Sequence, residues 1–307
     1  MVTPLLPSGA LDVESLDRLL EHFVSIGATG VLVLGSTGEV GMLQEATREE
    51  VLSRTVQRVK GRIHVMAGVP AMGTLDGVGY ARRWSALGAD SLLVTAPYAF
   101  QLAADELANH FRLIAGASPV PILAYNIPVR VQVILEPQLL ATLAAEGTIQ
   151  GVKDSSGDIQ RARTLYELLA PEGEIRTYTG SEQAMESWLL SGAHGVIPGL
   201  ANPFGRYHVE LTRRATAGDW PGARAIQGQI LSLLELYQYA IPGASFSASA
   251  VASMKEALVQ QGIIAHSTMS PPFGQTDPGL RAHVERIVER ARDLIPVAGF
   301  AAVHRTE

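Results

Sequence analysis

The sequence contains no cysteine among its 307 residues, which excludes disulfide bonds, thiolate nucleophiles, zinc–thiolate sites and iron–sulfur clusters. It also lacks any apolar run that approaches the roughly 20 uninterrupted residues of a membrane-spanning helix. Its first residues contain no basic segment followed by a long apolar one, so the sequence predicts no secretory signal. We therefore expect a cytoplasmic protein without a membrane partner.

Charge and histidine patterns narrow the function further. The net charge is only −6 at pH 7, and a mildly acidic chain has no general attraction for nucleic acid, so no nucleic-acid partner is expected. The eight histidines are scattered without an H-x-H or H-E-x-x-H pattern, so the sequence predicts no metal site. The G-x-S-x-G turn of many serine hydrolases is missing as well.

A repeated unit is present: a short β-branched run, a loop and then a helical stretch. Such alternation predicts an α/β fold with a parallel sheet, and eight units within about 215 residues predict a (β/α)8 TIM barrel. An open doubly wound sheet is the rival, but the G-x-G-x-x-G of its dinucleotide-binding form does not follow the first strand. The predicted strands are residues 1–3, 31–34, 63–66, 91–94, 121–125, 149–153, 175–178 and 195–197.

The strand pattern stops after residue 218. Segments near 221–239, 245–261 and 278–293 have the pattern of three helices. We predict a catalytic barrel over residues 1–218 and a C-terminal helical region over 219–307, packed as an appendage on the outside of the barrel. The first strand is expected to be short, since only residues 1–3 are available for it.

Lysine is scarce, with three lysines against 21 arginines. Lys153 ends a predicted buried strand, at the edge where barrel enzymes carry their catalytic residues. A buried cation is costly, and the neutral amine is the form that attacks a carbonyl. Two interpretations stay open: an imine-forming lysine, or a structural salt bridge to Asp154 or Asp158. Lys60 at a helix end and Lys255 in a predicted surface helix are expected to have no catalytic role.

Two further features fall at the same predicted edge. Tyr125 ends the strand before that of Lys153, where its hydroxyl could pass protons to and from an imine or could simply belong to the core. The run Gly35-Ser36-Thr37-Gly38-Glu39 follows the second strand and offers N–H groups and hydroxyls that suit a carboxylate. It is also typical of an ordinary strand-to-helix turn, and it is not a P-loop.

Together these pieces resemble the dihydrodipicolinate synthase / N-acetylneuraminate lyase family, in order and over almost the whole chain. The matching motifs are Gly35-Ser36-Thr37-Gly38-Glu39, Tyr125-Asn126-Ile127-Pro128, Gly151-Val152-Lys153-Asp154, Val2-Thr3-Pro4, Thr95-Ala96-Pro97-Tyr98 and Gly192-Ala193-His194-Gly195-Val196-Ile197.

The resemblance implies a class I, Schiff-base aldolase without a cofactor, which acts on pyruvate or a related 2-oxo acid together with an aldehyde. Lys153 would form the imine, Tyr125 would move protons, and the Ser36-Thr37 pair would serve the carboxylate and the proton relay. Ile197 would contact the oxo acid through its backbone, and Arg130 would receive the carboxylate of a second substrate. The expected site residues are thus Lys153, Tyr125, Ser36 and Thr37 for catalysis, and Ser36, Thr37, Ile197, Arg130 and Gly180 for substrate binding.

Two positions depart from the family pattern. The synthases carry two adjacent tyrosines after the fourth strand, the second of which reaches a neighbouring subunit's site, and here the pair is Tyr98-Ala99. The sialic-acid lyases do not normally have an arginine at the position of Arg130. The leading expectation is aldol addition or retro-aldol cleavage like that of the dihydrodipicolinate synthases. A sugar-acid dehydratase or aldolase, an activity like that of the N-acetylneuraminate lyases and a non-catalytic oxo-acid binder remain as alternatives. The resemblance also implies a homotetramer built from two dimers.

Overall fold

The computed structural model describes residues 1–70, 72–98, 100–170, 175–274 and 277–294. Within them lies one parallel sheet of seven strands, hydrogen-bonded in chain order from β1 to β7. The strands are β1 Gly30–Val33, β2 His64–Gly68, β3 Ser91–Thr95, β4 Ile122–Asn126, β5 Gly151–Asp154, β6 Arg176–Thr179 and β7 Gly195–Val196. The α/β fold and each strand predicted from residue 31 onward are therefore confirmed, with bounds that differ by no more than two residues.

Helices follow the strands and cover the sheet. They are α1 Val13–Ser25, α2 Glu45–Val59, α3 Thr74–Ala86, α4 Ala104–Ala115, α5 Pro128–Val131, α6 Pro137–Ala145, α7 Ile159–Leu169, α8 Met185–Leu190, α9 Ala201–Thr216, α10 Trp220–Leu233, α11 Phe246–Gln260 and α12 Pro278–Asp293. The short helix α5 was not predicted, because four residues are too few to show a helical period. None of the described helices is long and apolar enough to cross a membrane.

The core lies between the sheet and the inner faces of the helices. In α1, Leu16, Leu19 and Leu20 are fully buried at helical spacing, and each contributes roughly 1.5–3 kcal/mol of hydrophobic free energy. In α3, the buried Trp84 donates its indole N–H to the carbonyl of Gly68 in β2 at 3.1 Å. Contacts of this kind fix each helix against the sheet and so fix the loops that follow the strands.

The predicted strand at residues 1–3 is wrong. The amino group of Met1 donates to the Leu32 carbonyl in β1 at 2.6 Å, but the N–H of Val2 donates to the side chain of Asn202 in α9 at 2.8 Å. A strand needs a succession of backbone bonds to a neighbouring strand, and here the second bond goes to a side chain. The described sheet is consequently TIM-barrel-like with seven strands rather than eight, and residues 1–3 lie between β1 and α9.

The C-terminal segments are helical as predicted, with one change of detail and one correction. The helix expected near 221–239 ends as α10 at Leu233 and continues as a 3₁₀ turn over Leu234–Tyr237. Lys255 does not lie on a surface helix, because α11 is buried over most of its length and the lysine itself is 0% exposed. The helix packs against both α9 and α12, so no face of it is left for a free ammonium.

Candidate active site

Lys153 and Tyr125 face each other at the carboxyl ends of neighbouring strands. They are direct partners in the register of β4 and β5, so their side chains point to the same side of the sheet. The ammonium nitrogen of Lys153 lies 3.2 Å from the Tyr125 hydroxyl and 4.4 Å from the centre of its ring. Both residues are 6% exposed. The structure thus places a buried amine in hydrogen-bonding distance of a phenol.

The carboxylates next to Lys153 in the chain are engaged elsewhere. Asp154 accepts from the Asn126 side chain at 2.7 Å and from the Ser156 N–H at 2.7 Å. Asp158 caps α7 and pairs with Arg161. Among the described residues no carboxylate lies within ion-pair distance of the Lys153 nitrogen, which contradicts the salt-bridge interpretation.

Gly180 and Ser155 complete the surroundings of the lysine. A β-carbon at Gly180 would lie 3.2 Å from the Lys153 Cε and 2.2 Å from the Ser155 Oγ, so the side chains occupy the space that glycine leaves. The Ser155 hydroxyl donates to the Tyr125 hydroxyl at 3.4 Å. The sequence interpretation missed Ser155, although it follows Lys153 by two residues, the spacing at which side chains of an extended chain share a face.

The Ser36-Thr37 turn is held in an unusual backbone conformation. Leu34 and Glu39, on either side of the 3₁₀ turn Ser36–Gly38, both have positive φ angles, 56° and 58°. The Gly38 carbonyl accepts from the Thr3 hydroxyl at 2.8 Å, and the Thr37 Oγ1 lies 3.6 Å from where a β-carbon would stand on Gly199. Non-glycine residues in this region store strain that the surrounding fold must compensate, and such strain clusters at functional sites.

A buried ion pair holds the residue that follows the Ser36-Thr37 turn. The ammonium of Lys255 pairs with the Glu39 carboxylate, and both side chains are 0% exposed. Lys255 also donates to the Thr268 carbonyl at 2.6 Å, and Glu39 accepts from the Ser270 N–H at 2.7 Å. Burial lowers the pKa of Lys255, and the neighbouring Glu39 opposes that effect. The pair joins the Ser36-Thr37 turn to α11 and to the loop that follows it.

Glu182 is a second titratable group that the sequence interpretation missed. Although the residue is partly exposed, its carboxyl is enclosed, and burial raises its pKa to about 7. The Leu200 N–H donates to it at 2.6 Å, and the Tyr237 hydroxyl lies against it. Lys153 acts on it electrostatically in the opposite sense. A carboxyl that binds a proton near neutral pH therefore lies close to the lysine.

Two predicted substrate-binding residues and the alanine that departs from the family pattern remain to be placed. Arg130, at the end of α5, is exposed and donates to the Ser247 hydroxyl in α11. Ile197 is half-buried after β7, with its N–H bonded to the Thr179 carbonyl at 2.8 Å. Ala99 lies outside the described residues.

A cavity of about 260 Å³ opens at this edge of the sheet. Three of the predicted residues line it: Ser36, Tyr125 and Arg130. The cavity is of the size that a small organic substrate occupies. The described residues contain no cluster of three His, Asp or Glu side chains that could hold a metal ion.

Comparison with known protein families covers most of the chain. A model of the Dihydrodipicolinate synthetase family matches residues 1–291. The chain belongs to this family. The resemblance stated from the sequence motifs is thereby confirmed.

Relatives in this family cover most of the chain. A 4-hydroxy-tetrahydrodipicolinate synthase from Laribacter hongkongensis is 35% identical over 76% of this chain and 79% of that protein. One from Sorangium cellulosum is 33% identical over 95% of both. The solved dihydrodipicolinate synthase of Bacteroides thetaiotaomicron matches with a TM-score of 0.88 at 28% identity, over 94% of this chain and 96% of that one. The pyruvate complex of YagE, a prophage protein of E. coli K12, matches in fold with a TM-score of 0.88 at 23% identity, over 95% and 96%.

Proposed function

We propose that this protein is a lyase that binds pyruvate, or a close 2-oxo acid, as an imine on Lys153 and joins it to an aldehyde or releases it from an aldol. The observation that carries this proposal is the buried Lys153 nitrogen, 3.2 Å from the Tyr125 hydroxyl. A side-chain amine in this position can attack a carbonyl carbon, and the adjacent hydroxyl can carry the protons that imine formation moves. Membership of the family and the names of the relatives support the same chemistry.

Each residue around Lys153 has its own role in the proposed formation of the imine. The amine attacks C2 of the oxo acid, and Tyr125 passes a proton to the departing hydroxyl, so that water leaves and the imine forms. The N–H groups and hydroxyls of the Ser36-Thr37 turn hold the carboxylate, with the backbone at Ile197 on the other side. Gly180 leaves the space in which the lysine side chain lies, and the Ser155 hydroxyl orients the tyrosine. No metal or cofactor takes part in this proposal.

The second half-reaction begins when the imine loses a proton from C3 and becomes an enamine. The enamine carbon attacks the aldehyde carbon, the aldehyde oxygen takes up a proton, and water releases the product from Lys153. Arg130 is the proposed partner of a carboxylate on that aldehyde, since a guanidinium can hold a carboxylate through two parallel hydrogen bonds. The reverse sequence is a retro-aldol cleavage.

The test of the imine is reductive trapping. Sodium borohydride added with pyruvate should reduce the imine and attach the three-carbon unit to Lys153, which mass spectrometry of the digested protein would locate. Lys153→Ala should show no adduct, and Lys60→Ala should show the native amount, since Lys60 lies on an exposed helix end. An adduct that persists in Lys153→Ala, or that never forms in the native protein, would contradict the proposal.

We also propose how the chain is divided into regions and how copies of it assemble. We take residues 1–218 as the catalytic barrel, with residues 1–3 in the place of an eighth strand, and the helices from α10 to α12 as the helical appendage; residues 295–307, which the predicted region also includes, lie outside the described residues. We also propose a cytoplasmic homotetramer built from two dimers. The strongly exposed Leu75 and Phe100 near the cavity side of the sheet support an interface between copies. Light scattering during gel filtration would measure the mass of the assembly.

A further inference from the structure

The cavity continues from Tyr125 and Ser36 into a region whose walls are mainly apolar. Among the described lining residues, Ser36 and Tyr125 serve the proposed imine step and Ser247 accepts from Arg130, so the hydroxyls that remain are those of Thr95 and Tyr98. Two hydroxyls cannot replace the water around every hydroxyl of a sugar chain. The apolar side chains that line the cavity are Leu34, Val40, Met42, Val69, Pro70, Leu93, Ile127, Val131, Val251 and Phe273.

The charged groups of the cavity differ in how far they are already paired. Among the described lining residues, the charged side chains are those of Glu39 and Arg130. Glu39 is buried and satisfied by Lys255 and the Ser270 N–H, so its carboxylate is already neutralised by protein groups. Arg130 is exposed and contacts a neutral hydroxyl, that of Ser247. The described part of the cavity lining therefore offers an anion a guanidinium, whereas the carboxylate it contains is already paired.

We propose that the second substrate is an aldehyde with an alkyl or aryl body and a single carboxylate, rather than a polyhydroxylated or amino-bearing aldehyde. The inference rests on the proposed function, in which the enamine of pyruvate forms on Lys153. The body of the aldehyde packs against Val251, Phe273 and their neighbours, and its carboxylate binds Arg130. The C–C bond joins C3 of pyruvate to the aldehyde carbon, and the proton lost from C3 is balanced by the one that the new hydroxyl gains.

The specificity follows from the free energy of transferring each group into this cavity. An apolar body gains from leaving water, and each additional buried methylene improves discrimination by roughly tenfold or more. An ammonium loses its hydration there without an unpaired carboxylate among the described lining residues, and a polyhydroxylated chain carries more hydroxyls than Thr95 and Tyr98 can bind. The carboxylate is the exception, since Arg130 replaces its water with charge-assisted hydrogen bonds.

The test compares initial rates of aldol formation between pyruvate and four aldehydes. The compounds are 4-carboxybenzaldehyde, benzaldehyde, D-erythrose and aspartate 4-semialdehyde, with products identified by mass spectrometry. We expect kcat/KM for 4-carboxybenzaldehyde to exceed that for D-erythrose and for aspartate 4-semialdehyde by about tenfold or more. A higher kcat/KM for either polar aldehyde would overturn the proposed substrate class.

Two variants separate the carboxylate contact from the apolar one. Arg130→Met should lower kcat/KM for 4-carboxybenzaldehyde by about ten- to a hundredfold and leave that for benzaldehyde within about twofold. Phe273→Ser should lower both by about tenfold, because both lose the same apolar contact. Arg224→Met, on the exposed side of α10 and away from the cavity, is the matched control and should change neither. Equal losses for both aldehydes in Arg130→Met would contradict the carboxylate contact.

Every sample is also tested for borohydride trapping of pyruvate on Lys153. This measurement shows whether a failure concerns the substrate class or the proposed imine chemistry. Trapping together with a preference for polar aldehydes refutes the substrate class and leaves the imine chemistry standing. The lack of an adduct in the native protein refutes the proposed function itself.

Discussion

Gly180 leaves the space in which the Lys153 side chain lies, so we expect glycine at that position to be needed for the proposed imine chemistry rather than for backbone conformation. A methyl group there would lie 2.2 Å from the Ser155 Oγ and 3.2 Å from the Lys153 Cε. The small serine side chain can rotate away, so we expect Gly180→Ala to fold. The displaced Ser155 and Lys153 then meet Tyr125 in the wrong geometry, and misplacement by about 1 Å costs on the order of a hundredfold in rate.

The measurement for Gly180→Ala is the rate of borohydride-trapped adduct formation, compared with the urea-unfolding free energy of the same sample. Gly228→Ala is the matched control, because Gly228 lies in the helix α10 with no atom within 4 Å of a β-carbon. The control should be more stable by about 0.5–1 kcal/mol, with unchanged trapping. A Gly180→Ala protein that traps pyruvate at the native rate would show that the space is not needed.

Whether a single site residue could be predicted from the sequence depended on whether that residue ends a strand. Lys153 and Tyr125 could be predicted, because both close apolar runs and the ends of parallel strands meet at one edge. Glu182 could not, because its enclosure depends on Leu200 and Tyr237, which come from later segments of the chain. Lys255 was misplaced for the same reason: its partner Glu39 lies on a distant segment, and no local pattern reports such a pair.

At the scale of elements, the Lys255–Glu39 pair connects α11 to the turn after β1. Lys255→Met leaves the Glu39 carboxylate buried without its counter-ion, which should cost about 3–5 kcal/mol of unfolding free energy. The same change releases the turn that carries Ser36 and Thr37, so KM for pyruvate should rise by about tenfold even where the protein remains folded. Urea denaturation and steady-state kinetics at a temperature well below the midpoint measure the two effects.

A double variant distinguishes pairing from simple loss of packing. Glu39→Gln with Lys255→Met removes both charges, so its destabilisation should be smaller than the sum of the two single variants. Lys60→Met removes an exposed lysine and should change stability by less than about 0.5 kcal/mol. Additive losses in the double variant would mean that the two charges do not stabilise one another.

The elements themselves were predictable where their pattern is local. Seven strands and most helices follow from runs of β-branched residues and from apolar residues at helical spacing. Residues 1–3 have the same β-branched character, but the Val2 N–H is taken by the Asn202 side chain, a contact that only the folded chain creates. The short helix α5 and the 3₁₀ turn Leu234–Tyr237 are likewise products of their tertiary surroundings.

For the whole molecule, the fold gathers at one edge of the sheet the groups that the chain distributes over its length. The Ser36-Thr37 turn, Tyr125, Lys153 and Gly180 come from four different strand ends, and α11 adds Ser247 and Lys255 from the C-terminal region. The proposed function therefore depends on the C-terminal helices as well as on the sheet. We therefore do not expect the boundary proposed at residue 218 to separate two functional units.

Two buried groups with opposite pKa shifts should shape the pH dependence of global stability. Burial lowers the pKa of His208 to about 4, so its contribution to stability falls as the pH drops from its ordinary value of 6.5 towards 4. Burial raises the pKa of Glu182 from 4.5 to about 7, so the folded protein holds a proton that the unfolded chain releases between those values. The contribution of Glu182 is therefore complete below pH 4.5 and is lost as the pH rises through 7.

Glu182→Gln isolates the second effect, since the amide fits the same space and does not titrate. The unfolding free energy of the variant minus that of the native protein should grow more positive from pH 5 to pH 7.5, by at most about 1.4 kcal/mol per pH unit. Titrating groups that do not interact with Glu182 contribute equally to both proteins and cancel from this difference. Glu186→Gln removes a carboxylate from α8, four residues further along the chain, and so controls for the loss of a carboxylate as such. If the difference for Glu182→Gln stays constant with pH, the Glu182 carboxyl is ionised in the folded protein throughout this range, and its burial does not raise its pKa.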